Sequence, residues 1–286
     1  MTGKHLAVMP GPALNGVHRR RTSPLPDEPT LTSVGVTLVF AYLALSAVLI
    51  AIGFLLTHLL APVRHWDDHV IRRMASHRSA GWNRVSHIGT LLADTLGVVV
   101  VAAAVTLVAL VVRRGRDAAI FVCGLAVELA VFLTVNYSVV RPRPAAPHLG
   151  PTPSTYSFPS GHVAATLALY GGIAVLVGTR TRAVLVRVAA WAVAGVIVAW
   201  VGLSRVYEAE HHPTDVMAGL VLGAGALASA VVALRLGPAA GPDQRRADRR
   251  DHGPDHGRDH PDHAASAPWE TAPAGGGAPA PRGARR

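Results

Sequence analysis

The chain has 286 residues, of which 50% are hydrophobic and only 15% charged, with a mean hydropathy of +0.35. A soluble domain carries about 25% charged residues, so these figures exclude an ordinary water-soluble enzyme. The formal net charge of +10 invites a nucleic-acid reading, but residues 31–236 hold 23 charged residues whereas the last 50 hold 15. The chain is therefore a charge-poor body with two polar ends, and no nucleic-acid partner is expected. Its lone cysteine, Cys123, excludes an intrachain disulfide and a cysteine-based zinc site.

In chain order, residues 1–30 form a polar segment. Six apolar runs follow, at 34–60, 88–112, 118–140, 163–178, 183–203 and 216–234. About 20 apolar residues cross a bilayer. The first run is too long for a signal-peptide core and reads as a retained helix. Asp94 interrupts the second run and Glu128 the third. Residues 61–87 carry Trp66, Val70, Ile71, Met74 and Trp82 among polar residues and predict an interfacial amphipathic helix. The expected fold is all-α: a polytopic membrane protein with a six-helix bundle over 31–237. Residues 238–286 read as a disordered tail rich in His, Asp, Arg and Pro. Its His252, His256, His260 and His263 belong to a solvated mixed-charge tract. Six spans place both termini on one side. That side holds 19 basic residues against 8, or 11 against 8 without the tail arginines, which predicts cytoplasmic termini.

Three polar clusters adjoin the spans: Arg141-Pro142-Arg143-Pro144, Pro159-Ser160-Gly161-His162, and Ser204-Arg205 followed by His211 and Asp215. Ionisable groups at membrane depth are costly and are candidates for function. The six-span topology brings all three clusters to one membrane face. Arg143 and Arg205 carry planar donor forks suited to phosphate oxygens. Ser160 and Gly161 open a helix, where backbone N–H groups and the helix dipole favour an anion. His211 and Asp215 are four residues apart and share a helical face. A carboxylate on one imidazole nitrogen frees the other to attack, and His162 is then available as a general acid.

RPRP, PSGH and SRVYEAEHHPTD resemble the three signature motifs of the type 2 phosphatidic acid phosphatase (PAP2) superfamily, over about residues 31–236. The resemblance implies a six-span membrane phosphatase fold, related in its site to bacterial acid phosphatases and vanadium haloperoxidases. It implies that Arg143, Ser160, Gly161 and Arg205 bind phosphate. His211 would be the nucleophile that becomes a phosphohistidine. Asp215 would orient His211, and His162 would protonate the leaving group and then activate water. It implies neither metal nor cofactor. One position departs: the lysine seven residues before the motif arginine is Asn136 here. A missing charge at a preorganised site costs roughly 2–4 kcal/mol. Arg141 and Asn136 are further candidates for contact with phosphate.

The expected function is hydrolysis of a lipid phosphate or diphosphate of the polyprenyl diphosphate, phosphatidylglycerol phosphate or phosphatidic acid class. The expected partners are that lipid and the bilayer. The expected place is the cell membrane, with the active site on the extracytoplasmic face. The sequence leaves open a phosphotransferase that uses a lipid or sugar hydroxyl as acceptor. It also leaves open a non-catalytic protein that binds lipid phosphates, and it leaves the oligomeric state open.

Overall fold

A computed structural model describes residues 30–150 and 154–235. The chain divides into a unit ending at Gly241 and another beginning at Pro242, and the described residues all belong to the first. Segment 1–29 and the His-rich tail lie outside the described residues.

Helix α1 (Leu31–Phe54) starts at Thr30, whose hydroxyl accepts from the Ser33 N–H, and it runs into a π-helical turn, Leu55–Leu59. Helix α2 (Ala61–Ser76) follows, then α3 (Ala80–Leu91), capped by the Ser79 hydroxyl. The Asp94 carboxylate accepts from the Leu96 N–H and caps α4 (Thr95–Val111). Side-chain caps of this kind supply a partner for backbone donors that a helix start leaves free. Helix α5 spans Gly115–Val139. Helix α6 (Gly161–Thr166), a π-helical turn (Leu167–Gly171) and α7 (Gly172–Gly178) make one continuous rod. Helix α8 (Val184–Tyr207) and α9 (Pro213–Arg235) complete the described residues, among which there is no strand.

By length and composition, five of these helical runs can cross a membrane, or six if the bent pair α3–α4 forms one span. The predicted run 88–112 takes in the end of α3 and all of α4. The pair bends by 42° across residues 92–94, where Asp94 caps the second helix. The single amphipathic helix predicted over 61–87 is two helices, because Ser79 caps a new one at Ala80. These two helices are tied to the rest. Asp67 and Ile71 are buried, and the Arg78 guanidinium donates to the Tyr207 carbonyl.

Helices α1, α5 and α9 pack around a core of Leu49, Val131, Val135 and Leu222. The outward faces remain apolar, as at Phe40 (72% exposed) and Val196 (65%). A helix apolar on all sides suits a hydrocarbon surround. Small residues then govern close packing. A Cβ at Gly219 would sit 2.5 Å from the Ser160 carbonyl oxygen, and one at Gly223 would sit 2.5 Å from that of Ala164. The glycine pair on α9 therefore lets α6 lie directly against it, which sets Ser160 beside Asp215.

Candidate active site

The three polar clusters meet at one end of the bundle. The loop before α6 is fixed first. Asn136, fully buried near the end of α5, donates from Nδ2 to the Tyr156 and Phe158 carbonyls at 2.8 and 3.0 Å. It accepts at Oδ1 from the Tyr156 N–H at 3.0 Å. Its amide is thus a clamp for the segment leading into Pro159-Ser160-Gly161-His162. A lysine could not make both halves of that pattern, since it has no acceptor.

Arg141 holds a second junction. Its guanidinium donates to Asp67 on α2 at 2.8 Å, to Thr214 Oγ1 at 2.8 Å and to Asp215 on α9. Asp67 also accepts from the Thr214 N–H and hydroxyl. Both carboxylates are fully buried. A buried charge set of this kind persists only when every member is paired. Arg141 thus ties α2 and α9 together behind the site.

The Asp215–His211 contact expected from their spacing is not the one formed. Asp215 accepts from Arg141, from the Ser157 hydroxyl, from the His212 N–H at 2.8 Å and from His212 Nδ1 at 3.1 Å. His211 Nδ1 instead lies 2.7 Å from the Ser157 carbonyl. A carbonyl can only accept, so Nδ1 carries the proton and Nε2 presents its lone pair. The hydrogen-bonded path from Asp215 to His211 therefore runs through Ser157. Proline at position 213 starts α9 after His212, so His211 lies before the helix and not on its face. Burial pushes the His211 pKa down to about 3. The Arg143 guanidinium and the His162 imidazole push the same way, against Asp215 and the Ser157 carbonyl. His211 is a neutral imidazole at neutral pH.

Arg143 donates to the Glu210 carbonyl (2.7 Å) and carboxylate (3.0 Å), and to the Thr155 carbonyl (3.1 Å) and hydroxyl (3.2 Å). Burial lowers its pKa, against the pull of Glu210 and Asp215. Arg205 donates to Glu208 and to Thr90 on α3. Among the described residues, Arg205 Nε and Ser160 Oγ are buried without a hydrogen-bond partner. Buried polar atoms are nearly always satisfied, so both atoms are open to a polar partner. The Ser160 N–H is already used, bonding the Asp215 carbonyl at 3.0 Å, and so is not one of the free helix-start donors expected from sequence. Gly161 packs against the Phe132 ring, which a Cβ would approach to 2.9 Å.

His162 faces two cavities. One, of about 900 Å3, lies between α4 and α5. Its walls include Val98, Ala102, Leu125, Leu129 and Phe132, with Glu128 among them. The other, of about 810 Å3, has the polar and charged side chains Asn83, His87, Arg205, Glu208 and Glu210 among its walls. The charged groups acting on His162 are Arg205, Arg143 and Asp94.

Sequence reasoning overlooked Asp67, Ser157, Glu208 and Glu210. The two glutamates were legible as acidic residues between Arg205 and His211. Asp67 had no signal, because only the fold brings it near residue 141.

Residues 117–236 match the model of the PAP2 superfamily. Decaprenylphosphoryl-5-phosphoribose phosphatases from Mycobacterium tuberculosis strains CDC 1551 / Oshkosh and ATCC 25618 / H37Rv are each 34% identical over 124 residues. Those residues are 42% of this chain and 63% of each relative. The chain thus spans under two thirds of the length of these curated relatives. The crystal structure of a transmembrane PAP2 type phosphatidylglycerolphosphate phosphatase from Bacillus subtilis superposes with a TM-score of 0.57. It has 23% identity, and the match covers 68% of this chain and 92% of that one, which shows a common fold. The stretch that matches the family model contains Arg141, Arg143, Ser160, His162, Arg205, His211 and Asp215.

Proposed function

We propose that the chain is a membrane phosphatase that hydrolyses a lipid phosphate or diphosphate through a phosphohistidine. The observation that carries this reading is His211, buried and neutral, with Nδ1 fixed on the Ser157 carbonyl. That leaves Nε2 free, with Arg143 acting on the ring, and His162 lines an apolar cleft.

In this reading the lipid chain occupies the cleft between α4 and α5, and the phosphate reaches Arg143, Arg205 and Ser160. Nε2 of His211 attacks phosphorus, and the bond from phosphorus to the lipid oxygen breaks. His162 gives that oxygen its proton and releases a lipid alcohol, or a lipid monophosphate when the substrate is a diphosphate. His162 then takes a proton from water, the hydroxide attacks the phosphohistidine, and inorganic phosphate leaves with His211 restored. The guanidinium groups meet the charge on the transferring phosphoryl group. Asp215, Arg141 and Asn136 position the reacting groups from behind. The site end of the bundle faces away from the cytoplasm, following the distribution of basic residues.

The relatives act on a decaprenylphosphoryl phosphoribose and on a phosphatidylglycerolphosphate, going by their names. Both are lipid-linked phosphates, and the substrate here is assigned to that class. A phosphate-release screen over polyprenyl diphosphates and phospholipid phosphates, run in detergent with EDTA, tests the reading. Release that persists in EDTA and vanishes in His211→Ala supports it. Full release by His211→Ala would sink the mechanism, and transfer to an added alcohol in place of water would make the chain a phosphotransferase.

A further inference from the structure

Helices α4, α5 and α9, and the rod formed by α6 and α7, each run from the candidate active site to the opposite end of the bundle, about 37 Å away along α5 at 1.5 Å per residue. At that far end, five arginines (Arg113, Arg114, Arg116, Arg180 and Arg235) surround a pocket of about 470 Å3 that contains one carboxylate, Asp117. Asp117 pairs with Arg180 and Arg235, and Arg116 donates to the Leu234 carbonyl. Arg113 takes a left-handed conformation (φ 58°) that closes the α4–α5 turn and brings Arg113 and Arg114 together at the rim. Position alone explains basic residues at a bundle end, but it does not explain a pocket built from three separate turns and helix ends.

A second feature adjoins it. A groove of about 330 Å3 runs between α4 and α7, with walls that include Ala104, Val105, Val108, Ile173 and Leu176. Arg114 and Arg180 line both the groove and the arginine pocket. An anionic head site that opens directly into an apolar channel along the bundle matches one ligand shape. A free phosphate or an acidic peptide would use the arginines and leave the groove unexplained. Basic pockets between membrane helices take anionic head groups, and buried hydrocarbon adds to their hold.

We propose that this end of the bundle binds an anionic phospholipid, with its phosphate among Arg113, Arg114 and Arg180 and one acyl chain in the α4–α7 groove. The site is separate from the catalytic one and holds whether or not the chain is a phosphatase. The lipid bridges the α4–α5 turn and the end of α7, so it is expected to stabilise the fold.

The test uses the full chain in detergent with phosphatidylglycerol, a phosphodiester without a terminal phosphate, against phosphatidylcholine. Saturable binding of phosphatidylglycerol and a raised melting temperature are expected, with neither seen for phosphatidylcholine. The double substitution Arg113→Gln and Arg114→Gln is expected to weaken binding by roughly fivefold per guanidinium removed, the size of one arginine's attraction to an anionic lipid surface. Ala104→Phe fills the groove without changing charge and is expected to weaken binding as well. Equal behaviour of the two lipids overturns the proposal. So does unchanged binding in both variants, or full displacement by millimolar inorganic phosphate, which would mark a free-anion site. Loss in the arginine variant with none in Ala104→Phe overturns the acyl-chain assignment.

Discussion

The link from Asp215 to His211 through Ser157 makes Ser157→Ala the most informative substitution. The serine hydroxyl donates to the buried Asp215 carboxylate, and the carbonyl of the same residue holds His211 Nδ1 at 2.7 Å. Removing the hydroxyl leaves the carbonyl in place but releases the residue from its anchor. A hydrogen bond to a charged group contributes about 1.5–3 kcal/mol. If that much is lost from the alignment of the nucleophile, kcat falls by roughly 10- to 150-fold, at one decade per 1.36 kcal/mol. KM should hardly move, because Arg143, Arg205 and Ser160 are untouched. Asp215 retains Arg141 and His212, so the fold should survive, with a modest drop in melting temperature. The assay is steady-state phosphate release from a lipid phosphate, with a melting curve on the same preparation. A kcat within twofold of wild type would show that Asp215 acts on His211 directly, and the linkage would be wrong.

Other substitutions probe neighbouring parts of the site. Asn136→Lys restores the family residue in name only. It removes the acceptor of the Tyr156 N–H and puts a charge in a fully buried place, at a cost of about 3 kcal/mol or more. Melting temperature and phosphate release should both fall, and a gain in activity would contradict the clamp. Glu210→Gln removes the carboxylate 3.0 Å from Arg143, so inhibition by inorganic phosphate should tighten roughly threefold to tenfold, or about 0.7–1.4 kcal/mol. Weaker inhibition would mean that Glu210 orients Arg143 and does not compete with phosphate for it. His211, pushed down to about 3, should stay neutral as pH falls through the usual histidine value of about 6.5. The unfolded chain takes up a proton in that window and the folded one does not, so stability declines as pH falls from 6.5 towards 3. Nitrogen-15 histidine spectra of the full chain should contain one imidazole, absent in His211→Ala, that remains neutral at pH 5. Titration of that signal near 6.5 would refute the buried neutral nucleophile.

The spans were legible because hydropathy over some 20 residues depends on composition, and tertiary contacts cannot hide it. The convergence of RPRP, PSGH and the His211–Asp215 cluster on one end was legible through the parity of the spans. The partners of each charge were not. Arg141 is a further candidate for contact with phosphate by sequence, yet the fold places Asp67 and Asp215 on either side of it. Asn136 looked like a lost cation and is instead a two-way backbone clamp, a role visible only once residues 156–158 fold back beside it. The spacing of His211 and Asp215 suggested a helical pair, and Pro213 shows why it fails. The proline sets the helix start after His211, so the four-residue rule does not apply across that boundary. The division of 61–87 at Ser79 could have been found, since a serine before an amphipathic run is a capping signal.

Trapping the covalent intermediate tests the proposed chemistry most directly. Full-length protein is mixed with a lipid phosphate labelled at its terminal phosphoryl group and quenched within one turnover. Label should be retained on the protein, stable to alkali and released by acid, and peptide mapping should place it on His211. The His211→Ala protein should carry none. Label on another residue, or phosphate release without any labelled protein at any quench time, would contradict a phosphohistidine at His211.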